Sequence, residues 1–515
     1  MSFTTIASAI DFAIRKVTEL KECEPPSQSY KYAIDYTYKA FTGGLHGAAI
    51  RGPPGTGKTN TARCALIKAF SYIMENEDLV LLHTAPTNEL TFEVFTRMFP
   101  TIYYLAVEKY GYDIRDVLKM VKILGSGIPE PFYEGDEKRF QWLADGEIRK
   151  ILRETRRATA DTKFVFSTDY QRVDIRGKQF IVFVDEASKH PFYSSFNPVS
   201  TEWIRSIIDG KDEIIKSLVI VGDEFQAVAL SPEYRGSGKQ YLALPLLWEI
   251  LDKSEEKSYT TLDISFRLPD PIPEILTEGF YKNVGVTLKS GVNLKQRIKE
   301  LGDKKKDGEE SSEYVNDILE AVTTEISTIV YDVKSTYQPG EFTDPVRVRT
   351  AINALKAIHN LYGTNVNVMV VAPYSKTIQD VKFGIVSRLP ATRAYSYVTT
   401  PSALGREADI VITILGKEYP GEKRKTIYYQ EPENLNVSLS RARILQIIIG
   451  NIDQLKNTSL KKIRAISADL EQRKGIKEDA IREKENMRKI ASNLYNIAKK
   501  IEELANDDRI ILRKK

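Results

Sequence analysis

Cysteine is nearly absent: Cys23 and Cys64 are the only two in 515 residues. So low a count excludes a disulfide scaffold and fits a reducing compartment. Histidine is also sparse, and His46, His83, His190 and His359 are too scattered for spacing to assemble a zinc site. No run reaches the ~18 uninterrupted apolar residues that a membrane span needs. The chain opens with Ser2, Thr4 and Thr5, and Asp11 falls inside the only apolar run there, which argues against a signal peptide. A cytoplasmic protein with no membrane partner is expected. Net charge is only +4, too small to announce a polyanion binder. Its distribution says more, because from Lys456 onward 17 Lys/Arg stand against 10 Asp/Glu. Such a basic tail can attract phosphates without regard to sequence, or it can be a solvated helical face.

The composition that remains, 42% hydrophobic and 28% charged, is that of a globular chain long enough for roughly three domains of ~150 residues. Short apolar runs at Ala48–Ile50, Leu79–Leu82, Phe180–Val184, Leu218–Val221, Val366–Val371, Ile410–Ile414 and Gln446–Ile449 each end in Gly, Pro or acidic residues. Runs without alternation, separated by helical patterns, predict parallel strands buried on both faces. They fall into two groups, so two α/β domains in tandem are expected. Two stretches look inserted: about 93–160, helical and carrying Arg149, Arg153, Arg156 and Arg157, and about 289–340, with a polar tip from Gly302. Near the end, Met487, Ile490, Leu494, Ile497, Ile501 and Leu504 alternate spacings of three and four. That seam predicts an amphipathic helix, packed on its own body or on a partner helix.

The chemistry begins at Gly52-Pro53-Pro54-Gly55-Thr56-Gly57-Lys58-Thr59, which meets every defined position of the G-x-x-x-x-G-K-[ST] phosphate loop between a strand and a helix. Glycines let backbone N–H groups close around phosphates, and the helix start adds positive partial charge. Lys58 is expected at the β- and γ-phosphates of ATP, and the Thr59 hydroxyl on Mg²⁺. The run Phe180–Val184 ends in Asp185 and Glu186. Asp185 suits the Mg²⁺ shell, and Glu186 suits activation of the attacking water.

Asp185-Glu186-Ala187-Ser188, followed by Val221-Gly222-Asp223-Glu224-Phe225-Gln226, resembles the ATPase motifs of superfamily 1 helicases. More narrowly it resembles the subclass B branch that contains the nonsense-mediated-decay RNA helicase and senataxin, and a prokaryotic or archaeal-type member without the zinc-rich regulatory domain. The resemblance runs from Gln28 to Asn451. It implies that Gln226 senses the γ-phosphate and that Gln28, in Pro26-Ser27-Gln28, brackets the adenine edge. Ala85-Pro86-Thr87-Asn88 resembles the strand end that touches the nucleic-acid backbone, though Pro86-Thr87-Asn88 fits a helix N-cap equally well. Phe266-Arg267 is similar to the family's aromatic–arginine pair, Phe266 stacking on adenine and Arg267 reaching the γ-phosphate. Val370-Val371-Ala372-Pro373-Tyr374 matches a family strand, but Thr377 stands where a glutamine is expected. In the coupling motif Gly405, Arg406, Glu407 and Asp409 match, whereas Leu404 and Pro401 do not. There Glu407 would accept from a ribose hydroxyl and Thr399 would contact the nucleic-acid backbone. Arg441, in Ser440-Arg441-Ala442-Arg443, would be the second arginine finger, and Arg443 a structural ion-pair residue.

The implied fold is α/β, two tandem RecA-like P-loop domains with parallel sheets. They would span 1–254 and 255–457, each carrying one of the two insertions, followed by a basic helical tail over 458–515. The implied function is an ATP-dependent, magnesium-requiring motor, monomeric, moving 5′-to-3′ on single-stranded DNA or RNA by hydrolysis between the two domains. A remodeler that displaces proteins without separating strands would use the same residues. A scaffold with a dead nucleotide site is disfavoured by intact Lys58, Asp185, Glu186, Gln226, Arg267 and Arg441.

Overall fold

The computed structural model describes residues 23–124, 158–173, 175–187, 191–210, 214–226, 242–306, 311–338, 340–417, 433–471 and 478–515. The arginine cluster at 149–157, Ser188, His190 and part of the 302–310 tip lie outside these residues. The chain divides into two compact units at Leu262/Asp263, with Pro54–Thr56, Phe225 and Gln226 counted with the second.

In the first unit, strands β1 (Gly47–Arg51), β2 (Leu79–Ala85), β3 (Val121–Leu124), β4 (Phe164–Thr168), β5 (Gln179–Val184), β6 (Ile215–Gly222) and β7 (Tyr259–Thr261) form one sheet in the order β3-β4-β2-β5-β6-β1-β7. Every pairing is parallel. β1, β2 and β4 are buried along their whole length. That is why β1 and β2 read as continuous apolar runs instead of alternating ones, whereas β4, which ends in Ser167 and Thr168, is not among the runs picked out from the sequence. The stretch read as a helical insertion contributes β3 to this sheet, paired with β4. Two helices, α1 (Gln28–Phe41) and α2 (Lys58–Glu75), pack on each other beside the sheet. Their contact brings Cys23 and Cys64 to a Cα separation of 5.5 Å, and the two form a disulfide. A count of two cysteines therefore does not argue by itself for a reducing compartment.

The second unit is built on β10 (Thr328–Asp332), β11 (Val368–Ala372), β12 (Ser396–Thr399), β13 (Ala408–Ile414), β14 (Ala442–Gly450) and β15 (Ile511–Lys514), in the order β12-β11-β13-β14-β10-β15 and again all parallel. A small pair, β8 (Ile264–Ser265) with β9 (Lys289–Ser290), stands apart. Alternate residues of one strand serve opposite faces: Val368 and Val370 join one core cluster, Met369 and Val371 another. The stretch about 289–340 is not wholly an insertion, because β10 lies inside the sheet between β14 and β15.

The C-terminal segment is a hairpin of α3 (Ile452–Glu471) and α4 (Glu478–Asn506), and it returns to the sheet as β15, a strand the sequence pattern did not announce. Leu494, Ile497, Ile501 and Leu504 bury their side chains in a cluster with Leu276, Phe280 and Tyr281. Each buried aliphatic of this size contributes about 1.5–3 kcal/mol, against about 0–1 kcal/mol for an exposed ion pair, so the apolar seam decides the docking. Several of the basic residues are paired within the fold. Lys500 and Arg509 both reach Glu274, and Arg513 pairs with buried Asp317 at 2.7 Å. Among the described residues no helix is long and apolar enough to cross a membrane.

Leu504→Ala is expected to lower stability by about 2–5 kcal/mol in urea unfolding, while Glu503→Ala, an exposed partner of Lys499, shifts it by less than about 0.5 kcal/mol. Equal effects would mean that the seam does not hold the helix down.

Candidate nucleotide site and its surroundings

β1 delivers the chain into the loop at Gly52, whose N–H donates to Gly222 O at 2.8 Å. Gly55 and Gly57 turn the backbone with φ of +72° and +74°, a region open to glycine at no steric cost. Gly57 is the N-cap of α2 and Lys58 its first residue, so the free N–H groups of an 18-residue helix open on the loop. Thr56 is buried and Thr59 half-buried. The Lys58 ammonium donates to Gly52 O at 3.0 Å and lies 3.4 Å from Glu186 Oε1.

β5 ends one residue before Asp185, whose N–H donates to Thr84 O of the neighbouring β2 at 2.9 Å. Asp185 Oδ1 accepts from the Glu186 N–H at 2.8 Å. Burial pushes the Asp185 carboxyl up to about 7, with the Glu186 charge adding to the rise and Lys58 opposing it. Glu186 adopts φ +51°, a left-handed conformation that is strained for a residue with a side chain and is typical of functional turns. Behind them His83 is buried between Phe183 and Phe166, at ring separations of 4.8 and 5.8 Å. Burial lowers its pKa to about 3, so its 3.9 Å approach to Asp185 Oδ2 is not an ion pair. Two carboxylates facing one ammonium make a site short of positive charge, which a divalent cation would correct. Thr59 and Asp185 supply the hard oxygen donors that Mg²⁺ takes. Among the described residues no three His, Cys, Asp or Glu side chains converge into a metal cage. A cation held by one or two protein oxygens and substrate phosphates needs none.

The middle of the loop makes its contacts within the second unit. Ser265 Oγ donates to Pro54 O at 2.8 Å, and Phe266 N–H to Gly55 O at 2.9 Å. A Cβ on Gly55 would stand 2.4 Å from Arg267 Cβ. The aromatic–arginine pair expected to serve ATP is thus at the phosphate loop, with Phe266 44% exposed. Arg267 Nε donates to Glu407 Oε2 at 2.7 Å. Arg297 holds the pair from behind, donating to Phe266 O at 2.7 Å and Arg267 O at 2.8 Å. Arg443 lies 4.0 Å from Glu407 and 3.9 Å from Asp409, in the ion-pairing position expected for it.

Arg441 is almost fully buried. Its guanidinium donates to Val437 O (2.9 Å), Arg406 O (3.3 Å), Ser440 Oγ (2.7 Å) and, at 3.5 Å, to Ala403 O and Gln226 Oε1. In this conformation the residue expected as a finger braces the coupling loop and touches the expected sensor. Gln28 is exposed at the first position of α1. Pro86, Thr87 and Asn88 follow β2, and Thr87 Oγ1 accepts from Leu90 N–H at 3.3 Å, the N-cap contact. Thr399 ends β12 and shares a 3.2 Å hydrogen bond with Ser402.

Three contributors were not foreseen. Arg51 grips Glu224 with two nitrogens, at 2.9 and 2.6 Å, and lies 4.1 Å over Trp248, fixing the stem of the phosphate loop to the segment that leads to Gln226. Its position one residue before Gly52 was the available signal. Arg297 and His83 carry no motif and become visible only once the chain is folded.

Residues 245–453 match a family profile described as an AAA domain, less than half of the chain. No curated protein sequence matches. Among solved structures, the chain is similar to a crystal structure of the DUF1998 helicase MrfA bound to DNA, at 11% identity and a TM-score of 0.37, over 83% of this chain and 51% of that one. A structure of MrfA bound to DNA and AMPPNP gives 13% identity and a TM-score of 0.35, over 94% and 60%. The chain spans roughly half to three fifths of the length of those structures, and likeness this distant carries no activity across.

Arg441→Lys is expected to cost about 2 kcal/mol or more in unfolding, because one ammonium cannot satisfy the buried carbonyls that the guanidinium spans. Unchanged stability would show that Arg441 is not a brace.

Proposed function

We propose that the chain is an ATP-driven motor acting on single-stranded nucleic acid, a superfamily 1 helicase or translocase of subclass B that moves 5′-to-3′ on DNA or RNA. The observation that carries the reading is the seating of Phe266 and Arg267 on the phosphate loop at Gly55. A plain nucleotide-binding domain has no need of an arginine and an open aromatic face from another part of the chain, whereas a motor must couple phosphate state to movement. The AAA-domain match over 245–453 adds support from the half of the chain that lacks the phosphate loop.

In this reading Phe266 offers the stacking face for adenine and Gln28 an amide for a base edge, and the loop amides and Lys58 hold the β- and γ-phosphates. Glu186 takes a proton from the attacking water while the bond from the γ-phosphorus to the β–γ bridging oxygen breaks. Mg²⁺, bound through Thr59 and Asp185, would neutralise phosphate charge when present. Arg267 must leave Glu407 to reach the developing charge, which frees Glu407 for the ribose hydroxyl. Arg441 and Gln226, already in contact, relay the presence of the γ-phosphate to the coupling loop that ends β12 at Thr399. Thr399 and Pro86-Thr87-Asn88 then take the nucleic-acid backbone. A monomeric motor in an ATP-supplied cytoplasm is the simplest setting. Exposed cations of the C-terminal segment, Lys461, Arg464, Arg488 and Lys489 among the described residues, are offered to a protein or a strand.

Lys58→Ala is expected to abolish ATP hydrolysis with no change in melting temperature; hydrolysis at the wild-type rate would overturn the reading. Strand displacement on duplexes with matched 5′ and 3′ overhangs is expected to need the 5′ overhang. Strand-stimulated ATPase without displacement on either duplex would make the protein a nucleoprotein remodeler.

A further inference from the structure

Phe342 is a large aromatic side chain left 50% exposed in the connection that follows β10 in the second unit, next to buried Tyr337 and Arg347. It follows β10, and its neighbours come from segments that follow β11 and β13. Its ring meets Tyr374 edge-on at 5.3 Å, and Tyr374 meets Tyr337 at 5.6 Å. The ammonium of Lys417 lies 4.7 Å over the Phe342 ring. The cluster therefore sits past the carboxyl ends of three parallel strands, the end of an α/β sheet where ligands bind. β11 and β12 pair with Ala372 opposite Thr399, so Tyr374 and Thr399 emerge from adjacent strands at this same end.

The backbone and the neighbours of the exposed ring are tied down. Buried Thr377, which stands where the family resemblance leads one to expect glutamine, gives its hydroxyl to Phe342 O at 2.7 Å. The Tyr337 hydroxyl donates to Leu415 O at 3.2 Å. Arg347, fully buried 4.9 Å from the Tyr337 ring, ties Ser335 O (2.9 Å) to Leu415 O and Gly416 O (3.0 and 3.1 Å). Three connections are thus laced together beneath one open aromatic face. A hydrophobic residue exposed by accident has no comparable support.

We propose that Phe342 is a base-stacking platform for the single strand, with Lys417 serving the phosphate beside the stacked base. This rests on the nucleic-acid reading above and names a contact within it. The ammonium over the ring does not block the site. A cation on an exposed aromatic is worth about 2- to 5-fold in an equilibrium, whereas a stacked base is worth about 5- to 100-fold. A base can therefore displace the ammonium, and a phosphate is close at hand to receive it. Because every base offers a π-face, the platform grips any sequence, which suits a protein that must hold each nucleotide in turn.

The test compares binding, without nucleotide, of a fluorescent oligothymidylate and a strand of equal length in which every sugar is abasic, with an oligouridylate as the RNA counterpart. The wild-type chain is expected to favour the base-bearing strands. Phe342→Ala should weaken them at least 5-fold and erase their advantage over the abasic strand, and Phe342→Trp should retain the advantage with indole fluorescence quenched on binding. Lys417→Ala should reduce the salt slope by about 1 and leave the preference for bases intact. An unchanged base-to-abasic ratio in Phe342→Ala overturns the proposal and leaves the ring as a docking point for a protein. If the wild-type chain binds none of the strands, the nucleic-acid reading falls with it.

Discussion

The arrangement around the middle of the candidate phosphate loop depends on one close approach. Gly55, turned into the left-handed region, comes so near Arg267 that a methyl group would stand 2.4 Å from its Cβ. No other residue type meets both demands, a positive φ and no side chain. The hydrogen bonds from Ser265 and Phe266 to Pro54 and Gly55 follow from that approach. So does the position of an arginine and an aromatic face at a loop whose own sequence promises only phosphate binding.

Around this point the second unit uses buried polar groups as struts. Arg441, Arg347 and Arg297 each tie several backbone carbonyls together through charge-assisted hydrogen bonds, worth about 1.5–3 kcal/mol each. A guanidinium, planar and always charged, can satisfy up to five acceptors in fixed directions, and lysine cannot. In this chain the strategy fixes the loops to which chemistry is assigned in the proposal. Arg297 supports Phe266 and Arg267, Arg441 supports the coupling loop and Gln226, and Arg347 supports the platform under Phe342. Asp185 and Glu186 show the opposite economy. Two carboxylates crowd together, one of them buried and one with a strained backbone, and the Lys58 ammonium only partly offsets their repulsion.

Much of this was legible in the sequence. Seven apolar runs marked seven strands, because parallel strands buried on both faces leave no polar alternation to confuse. The short β3, β4, β7, β8, β9 and β12 escaped because a few residues carry too little pattern, and β10 because its Thr328-Ile-Val-Tyr-Asp332 sits within a polar stretch. β15 hides in the basic terminus, where Ile511 and Leu512 are two apolar residues among cations. Lys58, Asp185, Glu186, Gln226, Arg267 and Arg441 were singled out by motif, since the chemistry proposed for them requires those residue types in that order. Motif could not show that Arg441 is consumed by carbonyls, that Thr377 anchors Phe342 O, or that Cys23 meets Cys64. Those facts depend on which distant segments the fold makes neighbours.

The central claim is that phosphate chemistry at Lys58 is coupled to a bound strand. Steady-state ATP hydrolysis with single-stranded DNA, with single-stranded RNA and with neither measures that coupling directly. The account predicts slow basal hydrolysis, accelerated at least tenfold by one or both strands. Hydrolysis at the same rate under all three conditions would mean an ATPase without a nucleic-acid track and would contradict it.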